Sequence, residues 1–181
     1  MAQATQESDR RAPAIVLMGV AGSGKTSVGE ALSARLAMPF RDGDEFHPRA
    51  NVEKMSSGVP LTDEDRWPWL DAIGAAIGAA GDDGIIVACS ALRRIYRRRL
   101  VAAAGRPIVF VHLDGPRALL ERRLGGRKGH FMPKSLLDSQ LATLEPPGPD
   151  ETAVTVPVEP PIEAVVDAVV AALPGIAVTG A

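Results

Sequence analysis

One eight-residue segment limits the possible folds of this chain more than any other feature. Residues 19–26 read Gly-Val-Ala-Gly-Ser-Gly-Lys-Thr and match the pattern Gly-x-x-x-x-Gly-Lys-Ser/Thr. A short apolar run at residues 14–20 leads into the segment, and from Lys25 onward apolar residues recur at helical spacing until Pro39. A strand, a glycine-rich loop and a helix in this order predict a phosphate-binding loop at the end of a strand.

The residue types in this loop suit a bound nucleotide. The glycines allow backbone N–H groups to curve around phosphate oxygens, and the positive end of the helix dipole adds to the attraction. Lys25 is predicted to reach the β- and γ-phosphates of ATP, and Thr26 to offer its hydroxyl to Mg²⁺. A plain glycine-rich turn is the alternative, but it does not explain the flanking strand and helix. The predicted nucleotide contacts are Gly19, Ala21, Gly22, Ser23, Gly24, Lys25, Thr26 and Ser27.

The rest of the chain continues the alternation of strands and helices. Such alternation is typical of an α/β domain with a parallel sheet covered by helices on both faces, in which ligands bind at the carboxyl ends of the strands. We predict one domain over residues 13–175 after a disordered tail at residues 1–12. Further strands are predicted at residues 39–42, 85–89, 108–113 and 154–158, and a long helix at residues 63–80.

Charge and cysteine content exclude several classes of protein. The chain has 20 basic and 22 acidic residues, so no overall positive charge is available for nucleic acid. Cys89 is the single cysteine and cannot form an internal disulfide, and no secretory leader is recognisable, which favours the reducing cytoplasm. No apolar run reaches the roughly 18 residues that a membrane span needs. We therefore expect neither nucleic acid nor a membrane as a partner.

Two carboxylates follow the second predicted strand, as Asp42-Gly43-Asp44. Motor ATPases place an acidic residue for Mg²⁺ at the end of another strand, but here residues 85–89 are followed by Ser90. If the second strand stays extended to Asp44, both carboxylates point the same way, towards the cleft beside the phosphate loop. We predict that Asp42 reaches the water shell of Mg²⁺ and that Asp44 accepts a hydrogen bond from an acceptor hydroxyl. A simple Asp-Gly turn is the alternative.

Residues 125–134, GGRKGHFMPK, interrupt the alternation with three glycines and three basic residues. This composition predicts a mobile lid that closes over the nucleotide. We predict that Arg127 neutralises charge on the transferred phosphoryl group, as an arginine finger does. The alternative is that Arg122, Arg123, Arg127 and Lys128 serve as solubilising charge.

The order of these blocks resembles that of the gluconokinase family over about residues 14 to 173. The phosphate loop alone is shared by many unrelated proteins, whereas the Asp-Gly-Asp-x-x-His-Pro and Arg-Lys-Gly-His-Phe blocks are much more specific. After the phosphate loop, the matching residues are Asp42-Gly43-Asp44, His47-Pro48, Asn51, Lys54, Met55, Asp65-Arg66, Pro68-Trp69-Leu70, Cys89-Ser90-Ala91-Leu92, Arg127-Lys128-Gly129-His130-Phe131, Gln140 and Leu144-Glu145-Pro146.

The resemblance implies a P-loop kinase fold related to shikimate kinase and adenylate kinase, with strand order 2-3-1-4-5. It implies that ATP phosphorylates the 6-hydroxyl of D-gluconate, and it leaves open a homodimer, which relatives often form. Arg123 is expected near adenine or the α-phosphate. Arg93 and Arg94 stand where the family can have lysines, which keeps charge but changes hydrogen-bond geometry. The expected sugar-acid contacts are Asp44, His47, Lys54, Arg66, Ser90, Arg93, His130 and Gln140.

Other functions fit parts of the sequence. Another small-molecule kinase, such as shikimate kinase, is the near alternative, and a nucleotide-binding switch without an acceptor is a more distant one. Five arginines at residues 93–99 would suit a nucleic-acid adaptor, but Tyr96 and Leu100 continue an apolar stripe through them, so we predict a mostly solvated helix face. His112, inside a predicted strand, is expected to be a core histidine with its hydrogen bonds satisfied.

Overall fold

A five-stranded parallel sheet forms the centre of the molecule. The structure is a computed structural model that describes residues 12–126 and 134–173. The strands are β1 (Ala14–Met18), β2 (Phe40–Asp42), β3 (Ile85–Ala88), β4 (Ile108–Asp114) and β5 (Ala153–Pro157). Their order is β2-β3-β1-β4-β5, which confirms the expected 2-3-1-4-5 topology. In the register of the central strands, Leu17 lies opposite both Ala88 and Val111.

Seven α-helices in the described part of the chain connect and cover these strands. They are α1 (Lys25–Leu36), α2 (Arg49–Ser56), α3 (Asp63–Ala79), α4 (Arg94–Ala104), α5 (Arg117–Gly125), α6 (Lys134–Thr143) and α7 (Ile162–Ala172). A capping box between Thr62 and Asp65 starts α3, and Ala37, the residue after α1, adopts the left-handed conformation before Pro39. Within residues 12–126 and 134–173, no helix is long and apolar enough to cross a membrane.

Helix α2 has no counterpart in the sequence prediction. Asn51 is its one buried residue, whereas Val52 and Met55 are 47% and 43% exposed. An apolar stripe at helical spacing is therefore missing, and that stripe is the main sequence signal for a helix. The helix lies in a charged segment, directly after the short 3-10 turn Gly43–Phe46 that follows β2.

Both faces of the sheet are covered, which explains the continuous apolar runs of the strands. Ile15 and Leu17 of β1 belong to a cluster with residues of α1 and α7, whereas Val16 and Met18 belong to a cluster with residues of α3 and α4. Full burial of such a side chain contributes about 1.5–3 kcal/mol to stability. The carboxyl ends of the strands are therefore fixed by well-packed apolar cores on both faces of the sheet.

A third apolar cluster lies where the chain leaves the carboxyl end of the sheet. It joins Val20 of the phosphate loop, Leu92 after β3, Leu120 and Leu124 of α5, and Leu137 of α6. All five side chains are at least 92% buried. The cluster packs α5 and α6 beside the phosphate loop, although α6 lies more than a hundred residues further along the chain.

The arginine-rich segment is not entirely a solvated face. Arg99 is exposed, but Arg97 is 1% exposed, so the prediction is wrong at that position. Arg97 Nε and Nη2 donate to the two carboxylate oxygens of Glu151 at 2.6 and 2.9 Å, and Nη1 donates to the Ala91 carbonyl at 3.0 Å. Position 97 lies three residues before the buried Leu100, so helical spacing places it on the buried face of α4. Arginine, however, is a residue type that is rarely fully buried.

His112 of β4 is a buried histidine with an incomplete set of hydrogen bonds. It is 4% exposed, as predicted, but Nδ1 has no hydrogen-bond partner among the residues that the structure describes, so the expected satisfaction is wrong. Burial lowers the pKa of the ring, with Arg97 adding to this effect and Asp114 opposing it. The imidazole is therefore neutral at pH 7.

Candidate active site

The carboxyl ends of β1, β2 and β3 bring the main predicted site residues together. The phosphate loop follows β1, Asp42 ends β2, and Ser90 lies two residues after β3. The Gly19 N–H donates to the Ser90 carbonyl at 3.2 Å, which ties the two loops together. Gly19 has a φ of +145°, and a Cβ at this position would lie 2.8 Å from the Leu113 carbonyl oxygen. A larger residue would therefore force the loop away from β4.

Lys25 begins α1 with its ammonium group folded over the phosphate loop. Its Nζ donates to the carbonyl oxygens of Gly19 at 2.9 Å and Val20 at 3.1 Å. Gly24, the N-cap residue, has a left-handed φ of 90° that turns the loop into the helix. The ammonium group and the first N–H groups of α1 form one positive region, which is suited to the phosphates of a nucleotide.

Asp42 joins the phosphate loop to the turn after β2. Its Oδ2 accepts a hydrogen bond from Thr26 Oγ1 at 3.1 Å, and its Oδ1 accepts one from the Asp44 N–H at 3.0 Å. The chain turns at Gly43 into the 3-10 turn, so the expected extended path to Asp44 is wrong. Asp42 thus caps a turn and also places a carboxylate beside the Thr26 hydroxyl, a pair of oxygen ligands of the kind that Mg²⁺ takes.

Asp44 and His47 lie on the same turn. His47 Nε2 is 3.9 Å from Asp44 Oδ1, and their side chains are 6% and 88% exposed respectively. The pKa of Asp44 is raised, first by desolvation against the walls of the cleft and then by the Asp42 carboxylate, while His47 and Lys25 oppose the rise. Water still reaches most of the Asp44 carboxylate, which limits this rise. Burial lowers the pKa of His47, so its ring is neutral at pH 7.

The ring of His47 is held in place by two neighbours. It stacks on Trp69 with a centroid distance of 4.3 Å and an interplanar angle of 12°, and Trp69 Nε1 donates to the Gly43 carbonyl at 2.7 Å. Asn51 Nδ2 lies 3.4 Å from His47 Nδ1 and donates to the Asp65 carbonyl at 2.8 Å. An Asn51 N–H donated to Nδ1 leaves the ring proton on Nε2, which faces Asp44.

Three basic side chains that were predicted to contact a sugar acid lie on α2, on α3 and just before α4, and two of them are paired with carboxylates of α3. Lys54 Nζ is 2.8 Å from Asp65 Oδ2, and Arg93 Nη1 is 2.7 Å from Asp63 Oδ2. Arg66 lies over the ring of Tyr96, 5.5 Å from its centroid. The Tyr96 hydroxyl and Arg93 together lower the pKa of Asp63, with the hydroxyl as the larger cause. Lys54 and Arg93 are each about two-fifths exposed, so they remain accessible to an anionic ligand.

A cavity lies against the phosphate loop. It has a volume of about 240 Å³, and its walls combine the loop with the segment between β5 and α7. Arg123 of α5 forms one wall and donates from Nη2 to the Val158 carbonyl at 2.6 Å. Pro160 and Ile162 add apolar surface. A flat guanidinium group beside apolar walls is suited to a nucleobase, and the place of Arg123 near adenine or the α-phosphate stays a prediction.

Gln140 lies at the phosphate loop. Its Oε1 accepts a hydrogen bond from the Ala21 N–H at 2.6 Å. The sequence prediction placed Gln140 at the sugar acid and did not include this contact.

Arg127 and His130, like most of the predicted lid at residues 125–134, lie outside the described residues. Their assignments stay predictions.

Sequence reasoning missed four residues that shape the cleft. Asp63 and Tyr96 hold Arg93, while Asn51 and Trp69 hold His47. Asn51 stood in the family-like blocks without an assigned role. The feature that marks Asn51 is its burial on a helix whose other residues are mostly exposed. Burial of this kind cannot be recognised from the sequence alone.

Comparison with known proteins shows what the whole chain is similar to. The family model described as "AAA domain" matches residues 15–147. A gluconokinase from Gluconobacter oxydans is 51% identical over 146 residues, which is 78% of this chain and 80% of that protein. The crystal structure of a gluconokinase from Sinorhizobium meliloti superposes with a TM-score of 0.81 at 47% identity, covering 90% of this chain and 92% of that one. Shikimate kinase from Aquifex aeolicus, at 20% identity, has a TM-score of 0.57 over 92% and 99% of the two chains, and it shares the fold.

Proposed function

The chain belongs to the gluconokinase family, and we propose that it transfers the γ-phosphoryl group of ATP to the 6-hydroxyl of D-gluconate, giving 6-phospho-D-gluconate and ADP. The observation that carries the proposal is the hydrogen bond of 3.1 Å between Thr26 and Asp42. It joins a phosphate loop to the turn that presents Asp44. A phosphoryl donor and an acceptor hydroxyl can therefore meet between the phosphate loop and this turn.

In this reaction the oxygen of the 6-hydroxyl forms a bond to the γ-phosphorus, and the bond from that phosphorus to the bridging oxygen of ADP breaks. We assign Asp44 as the base that accepts a hydrogen bond from the hydroxyl and takes its proton. The raised pKa of Asp44 suits a group that must accept a proton and release it to water. Lys25, with Arg127 as a further candidate, balances the negative charge on the transferred group.

The Thr26 hydroxyl and the Asp42 carboxylate would hold Mg²⁺, directly or through its water shell. Mg²⁺ would supply positive charge there that neutralises the phosphates of ATP. Among the described residues no group of three or more His, Cys, Asp or Glu side chains could hold a metal ion. Mg²⁺ is usually bound through one or two carboxylates together with substrate phosphates.

The remaining contacts of the sugar acid are proposed for the basic side of the cleft. Arg66, Arg93 and Lys54 can attract the carboxylate of gluconate, and guanidinium groups can bind it with two parallel hydrogen bonds. His47, neutral and with Nε2–H facing the cleft, can donate to a sugar hydroxyl. Ser90 and His130 complete the proposed set. We further propose that the enzyme works in the cytoplasm.

An acceptor panel tests this proposal. Purified protein with ATP and Mg²⁺ is assayed for ADP release with D-gluconate, shikimate and several other hexonates in turn. We expect gluconate to give the highest kcat/KM. Equal turnover of shikimate, or ATP hydrolysis that is the same with every acceptor and with none, would overturn it.

A further inference from the structure

The contact between α6 and the phosphate loop suggests a role for Gln140 that differs from sugar-acid binding. Gln140 Oε1 and the Ala21 N–H are 2.6 Å apart, although 119 residues separate the two in sequence. The orientation of the amide follows from chemistry, since the Ala21 N–H is a donor and requires the oxygen rather than the nitrogen of Gln140. We propose that Gln140 is a positioning residue that holds the phosphate loop in its nucleotide-binding shape.

Helix α6 is itself firmly placed against the loop. Leu137, three residues before Gln140 and so on the same face of the helix, is 1% exposed and belongs to the apolar cluster that contains Val20. The end of the helix is anchored where the Glu145 N–H donates to the Leu92 carbonyl at 2.8 Å. The apolar cluster around Val20 and the hydrogen bond from Ala21 to Gln140 therefore hold neighbouring loop residues from one rigid element.

The loop has a reason to need this support. Its function depends on several backbone N–H groups that converge on phosphate oxygens, and such a loop has many glycines and high conformational freedom. If the loop is not held in advance, nucleotide binding must supply the free energy to order it. Gln140 satisfies one N–H group of the loop and thereby fixes the peptide plane at Ala21. The remaining N–H groups are then oriented for the nucleotide.

The inference rests on the proposed function only for the identity of the nucleotide, because the contact concerns the phosphate loop and not the sugar acid. Its test is therefore a binding measurement without gluconate. The dissociation constant of a fluorescent ADP analogue is measured for the wild type and for Gln140→Met, which has a similar length but no acceptor. Ser139→Ala, on the exposed side of α6, is the matched control.

We expect Gln140→Met to raise the dissociation constant about tenfold, because it removes one acceptor from a backbone N–H of the loop. Ser139→Ala should stay within about twofold, which is below the effect of one lost hydrogen bond. In steady-state assays, the KM for ATP should rise with Gln140→Met, and the KM for gluconate should change little. Unchanged nucleotide binding with a raised KM for gluconate would overturn the inference and make Gln140 a sugar-acid contact.

Gln140→Glu distinguishes a role of Gln140 in holding the phosphate loop from a general loss of protein stability in the Gln140→Met variant. The carboxylate keeps an acceptor for the Ala21 N–H but adds a negative charge near the phosphates. Its binding defect should therefore be largely removed at about 1 M salt, where screening acts over about 3 Å, whereas the defect of Gln140→Met should persist. Two equal defects that ignore salt would contradict the proposed hydrogen bond. Failure of wild-type protein to phosphorylate gluconate would leave these binding results unaffected.

Discussion

The buried pair of Arg97 and Glu151 should be essential for stability, and Glu151→Gln tests this. The side chains are 1% and 12% exposed and share two hydrogen bonds. Arg97 also donates to the carbonyls of Ala91 and Leu92, in the loop that carries Ser90. The replacement keeps the shape of the side chain but removes its charge, so the guanidinium group remains buried without a counter-ion.

The pKa of Glu151 allows the size of the effect to be worked out. Hydrogen bonds from Arg97 are the largest cause that lowers this pKa from an ordinary value of 4.5 to about 2. A difference of this size corresponds to about 3 kcal/mol of stability at neutral pH. Loss of one partner from a buried ion pair costs about 3–5 kcal/mol in other proteins, which is the same range. We expect Glu151→Gln to lower the free energy of unfolding by about 3 kcal/mol.

Urea unfolding at pH 7, followed by tryptophan fluorescence, measures this change. Arg99→Met is the matched control, because Arg99 lies on the same helix and pairs with Asp71, but both side chains are more than 40% exposed. It should cost less than about 1 kcal/mol.

The effect also depends on pH. Because the folded-state pKa is depressed, the stabilisation is complete above pH 4.5 and declines as the pH falls towards about 2. The difference between wild type and Glu151→Gln should therefore shrink below pH 4.5. A cost under about 1 kcal/mol at pH 7, or one that does not shrink on acidification, would refute the reasoning.

Other variants test the site. Lys25→Ala should lower kcat by about 10²- to 10³-fold with an unchanged circular dichroism spectrum, since its charge acts on the phosphates. Asp44→Asn should lower kcat by about 10²- to 10⁴-fold, whereas Glu45→Gln, one residue away, should not. Asp42→Asn should raise the Mg²⁺ concentration for half-maximal rate, and an unaltered Mg²⁺ titration would contradict its role. Burial lowers the pKa of His112, so below pH 6.5 the unfolded chain binds a proton at this residue more readily than the folded protein does. The stability of the protein therefore falls between pH 7 and pH 5. His112→Leu should reduce this loss of unfolding free energy.

The fold was largely predictable because its strands are buried on both faces. Continuous apolar runs marked β1, β3 and β4 within about two residues of their observed ends, whereas the strand order came from the family resemblance and not from periodicity. The burial of Arg97 could not be predicted in the same way. It depends on Glu151, whose position is set by the connection between α6 and β5, so the spacing within α4 does not show that an arginine can be buried there.

The site was predictable where it depends on short segments. The phosphate loop follows β1, and Asp42 and Asp44 lie at and after the end of β2, at the same edge of the sheet. The alternation of strands and helices was therefore enough to predict that they lie on one side of the molecule. The partners of Arg93 and Gln140 come from packing between elements that are 30 and 119 residues apart. Such contacts depend on the angles between helices, which a single sequence does not encode in any local signal.

Proton-coupled ³¹P NMR of the reaction product tests the central proposal most directly. The protein is incubated with ATP, Mg²⁺ and D-gluconate until ADP accumulates. Transfer to the 6-hydroxyl places phosphorus next to a carbon with two protons, so a new phosphomonoester triplet is expected in an amount equal to ADP. A doublet would show transfer to a secondary hydroxyl, and inorganic phosphate alone would show hydrolysis. Either result would contradict the proposal.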